Sequence, residues 1–151
     1  MEFKKILVPV DFSPCSMEAY RVAVTLARQF KSQLIIIHVI DNRLMGLLAE
    51  SGPLSIDEMM RIFKKQARLR LRAFLSGHPV DVKIRRIIIA GVPFHEIVMV
   101  SRRENVDLIV MGRYGGTEEM EKIFFGSTAE KVVRVAPCEV LSITMTGGGI
   151  K

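Results

Sequence analysis

Residues 4–16 read KKILVPVDFSPCS. Ile6, Leu7, Val8 and Val10 form a short, almost unbroken apolar run, the pattern of a strand covered on both faces. Ser13-Pro14 ends it: Ser13 reads as a helix N-cap, and Pro14 fits the first helical position, where its missing N–H removes no helical bond. Ala19, Val22, Ala23, Leu26, Ala27 and Phe30 then recur at helical spacing on one face. A strand therefore passes directly into a helix, the unit from which parallel sheets are built.

Outward from this segment the unit recurs. Gln33 to Ile40 is a second apolar, β-branched run, and a loop leads from it to a long amphipathic helix over 55–76, opened by the capping-box pair Ser55 and Glu58. Ile56, Met60, Phe63, Ala67 and Phe74 fall near one face of that helix. Arg61, Lys64, Lys65, Arg68 and Arg72 fall largely on the other and read as a solvated face, since no aromatic residues interleave them. Val82 to Ala90 is a third strand, Pro93 to Arg103 a helix, Val106 to Met111 a fourth strand, Ser127 to Val135 a helix and Glu139 to Met145 a fifth strand. Five strands alternating with four helices predict a doubly wound α/β domain with a parallel sheet, right-handed crossovers and helices on both faces. The domain is expected over 1–146, with the glycine-rich 147–151 a flexible tail.

At 151 residues the chain fits one domain, large enough to bury on the order of 70% of its unfolded surface. With 49% hydrophobic and 25% charged residues, wholesale disorder is excluded. Apolar runs such as Leu34–Ile37 and Ile87–Ala90 are far too short to span a membrane. The N-terminus enters the first strand without the apolar region of a secretory signal, so the expected location is the cytoplasm. Cys15 and Cys138 lie far apart with no CxxC, which predicts reduced thiols and no zinc site. Cys15, at the start of a helix, is open to a second reading as a dipole-activated redox thiol, against the simpler one of packing. The net charge of +6 favours acidic or phosphorylated partners in general without selecting nucleic acid.

In a doubly wound sheet, ligands bind beyond the carboxyl ends of the strands where the winding reverses. The informative segments are then Asp11-Phe12-Ser13, His38 to Asp41, and Gly112 to Ser127. The last of these reads Gly112-Arg113-Tyr114-Gly115-Gly116-Thr117, continues to Phe125, and closes with Gly126-Ser127-Thr128 at a helix start. Glycines allow close backbone approach, and the first amides of a helix are unpaired donors at its positive end, so the segment suits a phosphate. Ser127 and Thr128 add hydroxyls and Arg113 a charge. On these residues alone, a plain turn followed by a Ser127 cap is an equal reading. The chain has no G-x-x-x-x-G-K-[ST], no G-x-G-x-x-G after the first strand and no G-x-S-x-G, so the commonest phosphate, dinucleotide and serine-hydrolase signatures are absent. His38, His78 and His95 lack metal-site spacing, and no catalytic set is visible.

KKILVPVDFSPCS, LIIIHVID (34–41), AGVPFHEIV (90–98), VDLIVMGRYGG (106–116) and FFGSTAEKVVRVAPCEVLSI (124–143) resemble, in that order, segments of the universal stress protein family. The resemblance covers nearly the whole chain. It implies a flavodoxin-like sheet, also described as adenine nucleotide alpha hydrolase-like, of order 3-2-1-4-5, and a homodimer built by pairing fifth strands (Glu139 to Met145). It further implies a stress-response regulatory protein that binds ATP or another adenine nucleotide, with Mg as a companion ion, and has at most weak ATP hydrolysis. Membrane and nucleic-acid partners are not expected. Carried over residue by residue, Pro9, Val10 and Asp11 border the nucleotide, Asp11 facing adenine or ribose, and Val39 lines the adenine pocket beside Met111. Gly112, Arg113, Gly115, Gly116, Gly126, Ser127 and Thr128 surround ribose and phosphates. For Asp11 the plainer reading is an Asx turn leaving the first strand.

ATP-binding members of the family carry Gly, two residues, Gly, nine residues, then Gly followed by Ser or Thr. Here ten residues separate Gly115 from Gly126, whereas choosing Gly116 restores nine but puts three after Gly112. Either way the loop is one residue longer, and a one-residue change moves an amide by about 3.5 Å. The alternative is therefore a family member that has lost its nucleotide and serves as a dimeric protein-interaction scaffold.

Overall fold

The computed structural model describes residues 1–114 and 126–145. Its elements follow as β1 (Lys5–Pro9), α1 (Pro14–Phe30), β2 (Gln33–Asp41), α2 (Asn42–Ser51), α3 (Ile56–Ser76), β3 (Ile84–Gly91), α4 (Pro93–Arg103), β4 (Leu108–Gly112), α5 (Ser127–Val135) and β5 (Glu139–Ile143). All five strands pair in parallel in the order β3-β2-β1-β4-β5, the expected topology.

Strand alternation divides the core in two. Ile6, Val8, Val10, Leu34, Ile36, Leu108 and Val110 face α1 and α3, packing on Ala19, Tyr20, Ala23, Leu71 and Phe74. Leu7, Ile35, Ile37, Ile109 and Met111 face the other way, onto Ile97 and Val100 of α4 and Ala129 and Val132 of α5. Because β1 and β2 are covered on both sides, Ile6, Leu7, Val8 and Leu34 to Ile37 are all completely buried. Each such side chain contributes about 1.5–3 kcal/mol by leaving water.

The start signals work as read. Ser13 Oγ accepts the Ser16 N–H at 3.2 Å, with Pro14 as the first helical residue. Ser55 Oγ accepts the Glu58 N–H at 3.2 Å. Val92 precedes α4 without a side-chain cap, as its apolar side chain dictates.

The structure corrects the sequence reading in three places. The stretch between the second strand and the long helix is itself a helix, α2, so five helices and not four stand among the described residues. Asp41 caps it, its Oδ1 accepting the Arg43 N–H at 3.1 Å, and only Met45 is buried, in a small cluster with Ile40 and Ala67. In α3 the core face runs through Met59, Ala67, Leu71, Phe74 and Leu75, while Ile56 is 53% exposed. Strand limits follow the availability of partners: β3 begins where Ile84 meets Leu34 and ends where Gly91 meets Asp41, and β5 stops at Ile143, opposite the last residue of β4. The expected tail, 147–151, lies outside the described residues. Among those described, no helix is long and apolar enough to cross a membrane.

Candidate functional site

The winding reverses between β1 and β4, and there the sheet opens. β1 pairs with β4 only at Ile6↔Leu108 and Leu7↔Ile109, whereas its pairing with β2 continues to Pro9↔Ile37, extended by the Val10 N–H to the Ile37 carbonyl at 2.8 Å. β4 meanwhile stays paired with β5 as far as Gly112↔Ile143. Past Leu7 and Ile109 the two central strands part, leaving a crevice at their carboxyl ends.

Alternation decides which side chains reach that crevice from the α4/α5 side. Pro9 and Asp11 share the parity of Leu7; Val39 packs with the α4/α5 core, and Met111 belongs to it. Asp11 is exposed, with its Oδ1 accepting the Ser13 N–H at 3.0 Å. The Asx turn is thus made, and the second carboxylate oxygen is available beside it. Met111 is 4% exposed and holds its place chiefly by packing. Val10 is turned the other way, into the α1/α3 core, and only its backbone borders the crevice.

Gly112 closes β4 against the start of α1. A Cβ there would lie 3.0 Å from Cys15 Sγ, 3.1 Å from Cys15 C and 3.2 Å from Cys15 Cβ, all tighter than ordinary contact. Close approach, not an unusual backbone angle, is what this glycine permits. Cys15 is buried, and its Sγ donates to the Ile143 carbonyl at 3.1 Å, so the packed-thiol reading describes it. The Arg113 N–H donates to the same carbonyl at 2.8 Å, and its own carbonyl accepts the Gly126 N–H at 2.8 Å, which ties the entry and exit of the glycine loop together. Gly115 and Gly116 lie outside the described residues.

At the loop's exit, Gly126 and not Ser127 is the N-cap of α5. Among the described residues no side chain caps this helix; Ser127 is exposed and Thr128 half-buried. Its first turn therefore presents amides without a side-chain acceptor at the positive end of the helix dipole. The plain reading of Ser127 as a cap is overturned. Among the described residues no group of three His, Cys, Asp or Glu is placed to hold a metal ion.

Two features of the site, at Phe12 and Tyr114, escaped the sequence reading, and a third, His38, stands in one of the segments it named. Phe12 adopts φ 65°, left-handed backbone that a bulky residue seldom takes. Its ring is held 4.7 Å from that of His38 and 6.0 Å from that of Phe74, with the Arg70 guanidinium 4.4 Å above it. His38 Nδ1 stands 2.8 Å from the Val10 carbonyl and so carries the proton it donates there. Burial holds its pKa below the ordinary value; the Val10 bond opposes this, the nearby Arg70 charge adds to it and Asp11 opposes it. Tyr114 folds back into the protein, 6% exposed, and its hydroxyl oxygen accepts the Met145 N–H at 3.1 Å. The bulk of Tyr114 is thus accommodated in the fold, next to β5.

A five-stranded, doubly wound parallel domain with an open switch point, a glycine-closed fourth strand and an uncapped following helix is a ligand-site architecture of the flavodoxin-like class. Within that class the chain belongs to the universal stress protein family, whose model matches residues 2–143. A universal stress protein of Methanocaldococcus jannaschii is 35% identical over 142 residues, covering 93% of this chain and 82% of that one. The solved structure of the hypothetical protein MJ0577 superposes with a TM-score of 0.78 at 29% identity, over 98% of this chain and 100% of that one. A universal stress protein from Archaeoglobus fulgidus in complex with dAMP shares the fold, with a TM-score of 0.63 at 20% identity over 95% of this chain and 100% of that one.

Proposed function

We propose that this chain is an adenine-nucleotide-binding, homodimeric regulatory protein, with ATP and its accompanying Mg as the first ligand to test. The observation that carries the reading is the parting of β1 and β4. It leaves Pro9, Asp11, Val39 and Met111 on one side of the crevice that the uncapped start of α5 also borders. A flat apolar base enters between Val39 and Met111, the Asp11 carboxylate accepts from an exocyclic amine or a ribose hydroxyl, and phosphates meet the amides and hydroxyls of Ser127 and Thr128 with Gly112 and Gly126 at the turns. Arg113, with Gly115 and Gly116, completes the phosphate loop. The dAMP held by the Archaeoglobus relative, and cAMP held by another universal stress protein of the same fold, support the ligand class. The described residues offer backbone and hydroxyl donors around the crevice, which suits a nucleotide-dependent switch.

The dimer reading rests on β5, an edge strand that among the described residues pairs only with β4, with Leu141 39% exposed and Val140 half-buried. Such an edge needs covering, and a second copy covers it symmetrically. Leu141→Lys is expected to shift the sedimentation coefficient from dimer to monomer.

The test of nucleotide binding is thermal unfolding with and without ATP and Mg, with mass spectrometry of any small molecule released on denaturation. At a hundredfold excess over Kd, binding adds about 2.7 kcal/mol, a rise of roughly 5 to 10 °C for a domain of this size. No shift and no released adenylate would overturn the reading and favour the dimeric scaffold; deleting Gly116 should then create a shift the natural protein lacks.

A further inference from the structure

The basic residues of α3, read from the sequence as a solvated face, do not all point into open water. Lys64, Arg68, Leu71 and Arg72 of α3 and Arg86 and Ile88 of β3 line an open groove of about 420 Å³. It lies along the β3 edge of the sheet, whereas the nucleotide crevice lies between β1 and β4. Four of its six lining residues are cations and none is acidic; Leu71 and Ile88 make its apolar floor. Lys64, Arg68 and Arg72 succeed one another at four-residue intervals, where like charges on a helix repel.

Elsewhere on the surface several exposed arginines have acidic partners. Arg21 pairs with Glu18, Arg28 with Asp81, Arg43 with Asp41, Arg85 with Glu104 and Arg134 with Glu130. No salt bridge reaches Lys64, Arg68, Arg72 or Arg86 among the described residues. Four converging cations that the fold does not neutralise define a site for a multivalent anion from outside.

We infer that the α3/β3 groove binds a free oligophosphate, an anion of three or more linked phosphates. Arginine recognises phosphate oxygens through two parallel N–H bonds, and three arginines with one lysine match several adjacent phosphates better than a single one. No aromatic side chain lines the groove, so it lacks the stacking platforms of a single-strand nucleic-acid surface. Its size, about 420 Å³, suits a compact anion over an extended acidic chain.

The experiment is calorimetric titration of the full chain with inorganic tripolyphosphate, orthophosphate and a short oligonucleotide at low salt, with amide chemical-shift mapping of the bound site. Saturable binding of tripolyphosphate is expected, at least about tenfold tighter than orthophosphate, with shifts in residues 64–72 and 84–88. Arg68→Gln with Arg72→Gln, and separately Arg86→Gln, should each weaken it by about tenfold while leaving the melting-temperature rise with ATP unchanged; these exposed positions keep their stems, so folding is retained. Shifts confined to 112–114 and 126–128 would place the anion in the nucleotide crevice and overturn the inference. So would unsaturable binding, or tighter binding of the oligonucleotide. Because the ATP response is read separately, failure of this site and failure of the nucleotide reading are distinguishable.

Discussion

Gly112→Ala tests the closest contact at the switch point. The added methyl carbon would stand 3.0 Å from Cys15 Sγ, 3.1 Å from Cys15 C and 3.2 Å from Cys15 Cβ, each a few tenths of an ångström inside ordinary contact. Two of these atoms belong to a side chain and one to the backbone at the start of α1, so relief requires that helix to withdraw from β4. Overpacking of this kind costs about 1–3 kcal/mol. Replacing a strand glycine returns about 0.5–1 kcal/mol of backbone entropy, so the net loss is centred on about 1 kcal/mol and at most about 2.5 kcal/mol, a fall in Tm of up to roughly 10 °C. Cys15→Ala removes Sγ but leaves the backbone carbon, and it also removes the thiol's bond to the Ile143 carbonyl. In a double-mutant cycle by urea unfolding, the two changes should therefore cost less together than their sum, by about 0.5–1 kcal/mol, with the Gly112→Ala penalty only partly relieved. A Gly112→Ala protein as stable as the parent, or strict additivity with Cys15→Ala, would refute close approach as the reason for this glycine.

Three further outcomes follow from the same geometry. At Gly91 the atoms a Cβ would meet, at 2.5 to 2.8 Å, all belong to the Glu96 side chain, so Gly91→Ala should cost about 1–2 kcal/mol alone and little beyond Glu96→Ala when the two are combined; equal penalties in both backgrounds would be the contrary result. Burial, with the charges of Asp107 and Glu139, pushes the Cys138 thiol up to about 11 against a hydrogen bond to the Ile109 backbone. A disulfide exchange reagent at neutral pH should therefore label Cys138 far more slowly in the native protein than after denaturation, and equal rates would contradict this. The depressed pKa of His38 means that the unfolded chain takes up its proton first as pH falls through about 6.5, so stability is present above that value and drops below it. His38→Asn retains a donor for the Val10 carbonyl without titrating, and its unfolding midpoint should lose less between about pH 7.5 and pH 5.5 than the parent's; identical losses would remove His38 from the account.

The first strand and helix were legible because the hydrophobic period changes from strand to helix at Ser13-Pro14, where cap and first-turn proline agree. α2 was not, because Leu44, Leu47 and Leu48 remain 59%, 67% and 44% exposed and Met45 alone is buried, so its apolar residues do not report a core face. At the site, strand parity carried Val39 and Met111 to the side of Leu7, something period-two alternation fixes once the strands are known. The left-handed Phe12 had no such signal, since glycine or asparagine ordinarily marks that conformation and here ring packing against His38 and Phe74 holds it. Nor could the role of Tyr114 be read, because its partner, the Met145 amide, lies 31 residues away.

These unread contacts converge on the end of β5. The Ile143 carbonyl accepts both the Arg113 N–H at 2.8 Å and the Cys15 thiol at 3.1 Å, and the Met145 N–H donates to Tyr114 at 3.1 Å. The first residues of the glycine loop, the start of α1 and the last residues of the edge strand thus share bonds. A ligand that reorders Arg113 and Tyr114 must change the environment of Ile143, the last residue of the strand through which the proposed dimer pairs, and of Met145 just beyond it. Thermodynamic linkage makes such an effect reciprocal: whatever factor nucleotide adds to dimer affinity, the dimer adds to nucleotide affinity. The switch proposed above needs a path of this kind from ligand to surface, and here it is only a few hydrogen bonds long.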